Sequence, residues 1–141
     1  MKKTINDLKD SIKQRAIIKS GNNSVKGLDG IATINWDVYG VPHATVTSEL
    51  DMWFIQGFLH AQDRLWGMER TRRFVKGTLS EIIGPGGLGP DKFFRRVGTM
   101  RAAKKEWDSL ENEGKNVIEA YTAGVNAYLD LELPLPIEFE L

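Results

Sequence analysis

Two histidines, His43 and His60, are the side chains whose ordinary pKa lies nearest neutrality, so any proton-transfer chemistry would start with them. Neither stands in an H-x-x-x-H or H-E-x-x-H frame, and each could bind a metal only with carboxylates brought from elsewhere. Structural roles are expected for both. Asp63, in "HAQDRLW", could act as a general base, but it falls on the same helical stripe as Arg70, which points to a structural ion pair. No serine sits in G-x-S-x-G or S-x-x-K, and the absence of cysteine removes thiolate nucleophiles, disulfides and Cys-based metal sites together. "GPGGLG", Gly84 to Gly89, fits G-x-G-x-x-G formally, yet it follows a helix-like turn rather than a strand and runs into Pro90, so it is expected to be a connector. No catalytic, cofactor-binding or metal-binding residue is assigned.

The elements that carry these residues follow from periodicity. Ile5, Leu8 and Ile12 recur at helical spacing, which predicts a short helix over 4–16, followed by the turn-rich "SGNNSVKGLDG". Ala32, Ile34 and Trp36 share a strand face, and "DVYG" offers Asp37 and Gly40 to a type I turn, which predicts a hairpin of 30–36 with 41–46. Pro42 cannot donate to a ladder and belongs at an edge. Ser48 and Asp51 have capping-box spacing, and Gly77 suits a left-handed cap, so one long helix should join them. "TLSE", Thr78 to Glu81, repeats the capping spacing. Further helices are predicted over 91–110 and about 113–131, the latter with Val117, Ile118, Tyr121, Val125, Tyr128 and Leu129 on one broad face. The class is α+β, mainly α: an N-terminal β-hairpin followed by a helical bundle.

Projected at about 100° per residue, the long helix carries Leu50, Trp53, Phe54, Gly57, Ala61, Leu65, Met68 and Val75 on one face and Met52, Ile55, Leu59 and Trp66 nearly opposite. Between them runs a polar stripe of Gln56, His60, Asp63, Gly67 and Arg70. A helix apolar on two sides is a buried helix, so the stripe is expected to be hydrogen-bonded internally, and Gly57 and Ala61 to admit another backbone. The same projection argues against reading "RTRRFVK" as a nucleic-acid helix, because a groove-reading helix offers one whole side. Glu69 has nearer use for Arg72 or Arg73.

Basic and acidic residues balance at nineteen each, so no global field favours nucleic acid or anionic membrane. No apolar stretch reaches the roughly 18 residues of a membrane span, and "MKKTINDLKDSIKQRAIIKS" lacks the unbroken apolar core of a signal peptide. That leaves localisation open: cytoplasmic as written, periplasmic or extracellular if the chain is exported. The apolar, Pro-rich "LPLPIEFEL" is expected to lead into further polypeptide.

Six phrases, "DVYGVPHAT", "QGFLHAQDRLWGMERTRR", "GTLSEIIG", "DKFFRRVG", "EAYTAGVNAYLD" and "LPIEFEL", stand in an order and spacing that resembles the amino-terminal α-chain region of penicillin acylases. The resemblance covers about residues 25–141. It divides the chain into 1–23, a helix and linker, and 24–141, an incomplete acylase-like domain. It implies an N-terminal-nucleophile (Ntn) hydrolase of αββα fold, made as one precursor that cleaves itself into α and β chains and hydrolyses the amide bond of N-acyl compounds. In that family the nucleophile is the first serine of the β chain, with its own α-amino group as base. The acyl-pocket residues and a calcium-binding carboxylate fall beyond the position of Leu141, so no cofactor is expected in this segment, calcium belonging to the complete enzyme. The partners implied are the β chain and a small-molecule N-acyl substrate, with no nucleic acid. Trp36 and Gly67 depart from the family's usual arginine and glutamine. The alternative is a non-catalytic helical module descended from the same fold.

Overall fold

The computed structural model describes residues 27–140. The helix expected over 4–16 lies outside the described residues. Strands β1 (Thr33–Trp36) and β2 (Pro42–Thr45) pair antiparallel, Thr33 opposite Thr45 and Trp36 opposite Pro42. The hairpin is where the alternation predicted it, with shorter strands. Its turn is built by Asp37, whose carbonyl accepts the Gly40 N–H at 3.0 Å while one carboxylate oxygen accepts the N–H groups of Tyr39 and Val41 at 2.9 Å each. Gly40 sits at φ 78°, a conformation that costs glycine little.

Helix α1 (Glu49–Lys76) opens on Ser48, whose hydroxyl accepts the Asp51 N–H at 3.0 Å, and closes on Gly77 at φ 73°. The Asp51 carboxylate does not turn back to the cap. It reaches across to the preceding loop, accepting N–H groups from Asp29 at 3.0 Å and Gly30 at 3.2 Å, and is only 3% exposed. A similar division of labour operates at α2 (Ser80–Ile83). Thr78 makes no side-chain cap there, and Asp91, from the next long helix, accepts the N–H groups of Leu79 at 2.8 Å and Ser80 at 2.9 Å. These first-turn donors have no partner within their own helix, so a carboxylate beside them is strongly favoured.

After a 3₁₀ turn over Gly84–Gly87 come α3 (Leu88–Val97), α4 (Thr99–Ser109) and α5 (Asn112–Leu129). The single helix expected over 91–110 is two helices. Gly98, at φ 82°, ends α3 in the left-handed region and starts α4 at once. The first of the two also begins three residues earlier than expected, inside the glycine-rich connector.

The core lies where α1 crosses α5. Phe54, Ile55, Phe58, Ala61 and Leu65 bury against Ala127 and Tyr128, with Leu28, Ala32, Ile34 and Val46 packed on from the hairpin side. Phe58 meets Tyr128 edge-on at 5.6 Å between ring centres. Contact is closest at two glycines. A Cβ placed on Gly57 would fall onto the carbonyl of Tyr121, and one placed on Gly124 onto the carbonyl of Phe54. The backbone approach expected at Gly57 is therefore made, and α5 returns it with Gly124. Ile118 and Leu129, placed by periodicity on the packed face of α5, are 47% and 40% exposed.

Candidate functional site

Of the residues singled out for chemistry, His60 and Asp63 lie on α1 and His43 on β2, and the structure sets all three apart from the core. Gln56, His60, Asp63, Gly67 and Arg70 are all exposed, which corrects the expectation of an internally bonded stripe. The reason is geometric: α5 covers one side of α1 and the hairpin covers Ile55, and of the stripe only His60 is reached, through the Tyr121 hydroxyl of α5. Asp63 has no ion pair among the described residues, so the expected pair with Arg70 is not formed. His60 is held from the neighbouring helix, its Nδ1 lying 2.9 Å from the Tyr121 hydroxyl with the rings edge-on at 5.8 Å. His43 is held by the turn, with Nε2 at 3.3 Å from Asp37. Each histidine thus has one hydrogen-bond partner among the described residues.

Two concavities flank the stripe. The first, about 290 Å³, lies between hairpin and helix and is floored by Pro42, Ala44, Val46, Ile55 and Leu59, with Gln56, His60 and Asp63 at its rim. The second, about 480 Å³, opens at a break in α1, where Arg64 takes φ −139° and ψ 23°. Gln62, Arg64, Trp66, Tyr128, Pro134, Pro136 and Glu138 line it. Trp66 stacks edge-on against Phe139 at 5.4 Å, tying the carboxyl-terminal segment to the helix. Both side-chain polar atoms of Gln62 and one oxygen of Glu138 are buried here without a hydrogen-bond partner among the described residues. Burial, and then the charge of Asp63, raise the pKa of the Tyr128 hydroxyl, so it is a poor proton donor at neutral pH.

The electrostatic centre of the rest is Glu69. Its oxygens accept from Arg72 at 2.7 and 2.8 Å and from Arg73 at 2.6 Å, and Arg73 also reaches Glu81 at 2.7 Å. The Arg72 hydrogen bond lowers the Glu69 pKa, with Arg73 adding to it against partial burial. Both partners foreseen from the spacing are engaged at once. Asp91 is the acid that periodicity missed, and its pKa too is lowered: burial opposes the shift, while the Ser80 hydroxyl and the N–H groups of Ser80 and Leu79 outweigh it. The available signal was its place after Pro90, in the first turn of a helix that packs beside another helix start. Among the described residues no group of three or more His, Asp or Glu side chains is arranged to hold a metal. No helix among them is long and apolar enough to cross a membrane.

What the described residues offer is a scaffold with open faces. Residues 31–141 match the family profile described as penicillin amidase. The chain belongs to that family. It is similar to a penicillin acylase 2 proenzyme from a Pseudomonas species, 39% identical over 122 residues, which are 86% of this chain and 16% of the relative. An acyl-homoserine lactone acylase from Pseudomonas aeruginosa is 36% identical over 110 residues, 78% of this chain and 13% of the relative. The fold matches a thermostable penicillin G acylase from Alcaligenes faecalis with a TM-score of 0.70 and 29% identity, over 80% of this chain and 62% of that one. The hairpin and the mainly helical remainder are those of the family. The chain spans less than a fifth of the length of either curated relative.

Proposed function

We propose that this chain is the amino-terminal part of the α chain of an amidohydrolase that cleaves the amide bond of N-acyl compounds, with its catalytic serine on a β chain. The observation that carries the proposal is the family match over 31–141, supported by a fold overlay at TM-score 0.70. The names of the relatives, penicillin acylase and acyl-homoserine lactone acylase, both describe removal of an acyl group, which supports N-acyl amides as the substrate class. In this reading the nucleophile is the first serine of the β chain, activated by its own α-amino group, as the resemblance implies. The chain itself supplies a rigid α1–α5 crossing on which the remainder is mounted.

The test is to express this chain alone and together with the rest of the precursor, and to assay both on chromogenic N-acyl amides. Turnover is expected only from the complete protein, with a new amino-terminal serine found by sequencing its fragments. Turnover by the isolated chain would refute the placement of the chemistry on the β chain. A complete protein that neither cleaves itself nor turns over any N-acyl amide would favour the non-catalytic helical module.

A further inference from the structure

The pair α3–α4 is folded but largely uncovered. Not one residue of α4 is buried, and the only buried side chain of α3 is Asp91, which faces the start of α2. Helices shorter than about 12–15 residues are marginal in water unless an apolar face is packed, and α4 has 11 residues. The α3–α4 pair does have such a face. Phe93, Val97 and Met100 are exposed by 60%, 59% and 51% and follow one another across the Gly98 bend. Val75, also exposed, lies beside the start of α4, where the Thr99 hydroxyl donates to its carbonyl. Phe94 rests edge-on against Phe74 at 4.7 Å and against Phe93 at 5.3 Å, and the Lys115 ammonium lies 5.8 Å from the ring centre of Trp107.

Charge around this surface is one-sided. Lys92, Arg96, Arg101, Lys104 and Lys105 are exposed on the two helices, against exposed Glu106 and Asp108. The chain as a whole carries no net charge, so this excess is local. A basic rim around apolar side chains selects a partner whose own surface is apolar at the centre and acidic at its edge.

We propose that the surface formed by Val75, Phe93, Val97 and Met100 docks an acidic-rimmed apolar face of the rest of the acylase precursor. The inference rests on the α-chain reading above and gives that partner a place to bind. The relative 39% identical to this chain has more than four-fifths of its length outside the matched segment, which is ample polypeptide to supply such a face.

The experiment is hydrogen–deuterium exchange on the protein assembled from this chain and the remainder of the precursor. Amides of residues 99–109 are expected to exchange roughly 100-fold or more slowly than in an unstructured peptide, as for a packed helix. Met100→Glu in the same assembly should restore fast exchange there, and Met100→Leu should not. Exchange at the unstructured rate in the assembled parent protein would overturn the proposal. So would protection that appears only when phosphatidylglycerol vesicles are added, which would assign the surface to lipid, or protection that depends on protein concentration, which would assign it to a second copy. Turnover of N-acyl amides on the same sample separates the two readings. An active assembly with unprotected α4 refutes the docking surface alone, whereas an inactive one with protected α4 refutes the enzymatic reading alone.

Discussion

Replacing Gly57 with alanine should destabilise the protein, although alanine is the better helix former. In an exposed helix interior the change gains about 1 kcal/mol. At Gly57 the new methyl would meet the Tyr121 carbonyl, which has no rotamer through which to yield. Restoring an ordinary contact means parting α1 from α5 by well over an ångström, enough to forfeit a quarter or more of the dispersion energy across the crossing. Phe54, Phe58 and Tyr128 pack at that crossing, so the overpacking cost belongs at or above the upper end of the usual ~1–3 kcal/mol. The net loss is expected to be about 2 kcal/mol or more, read from urea unfolding of Gly57→Ala beside the parent. Gly124→Ala should behave alike, and the double variant should lose less than the sum, because once the helices have parted the second methyl finds space already open. Gly67 supplies the control. Nothing lies within 4 Å of a Cβ placed there, so Gly67→Ala should stabilise by a few tenths of a kcal/mol up to about 1 kcal/mol. A Gly57→Ala protein as stable as the parent, with Gly67→Ala unchanged or worse, would refute the close-crossing argument.

Asp63→Ala should leave thermal stability within about 0.5 kcal/mol of the parent, because the side chain is exposed; a loss of several kcal/mol would mean a partner that the described residues do not contain. Asp51→Ala should cost about 2 kcal/mol by orphaning the N–H groups of Asp29 and Gly30, measured by chemical denaturation, and a neutral result would refute the loop-fastening role. Because the folded-state pKa of Asp91 is lowered, its contribution is present above the ordinary aspartate value of 3.8 and is lost as pH falls below it through the folded value. Unfolding midpoints followed from pH 6 down to pH 2 should therefore converge for the parent and Asp91→Asn at the acid end, and a constant difference between the two would refute the linkage.

The legible part of the fold was the part set by local chemistry. Ser48, Gly77 and the "DVYG" turn act through neighbours a few residues away, so spacing alone located the start and end of α1 and the hairpin. Gly98 was harder to read. A glycine inside an amphipathic pattern costs a helix only about 1 kcal/mol, and whether it bends or continues is decided by what α3 and α4 pack against. The polar stripe was misjudged for a related reason: apolar residues on two faces of α1 imply two covers, but not that the covers meet over His60 and Asp63. The carboxylates of Asp51 and Asp91 reach donors 22 and 12 residues away, a pairing that no periodicity encodes.

The obstacle at each glycine of the crossing is main-chain carbonyl, present whichever side chains stand at Tyr121 and Phe54. No substitution at those two positions can make room for a larger residue at 57 or 124. The sequence can therefore drift at the flanking positions without the glycines following, and the glycines cannot be exchanged in compensating pairs as a large and a small core residue can. Two touching sites of this kind would leave no covariation signal, and methods that infer contacts from correlated change would overlook this junction.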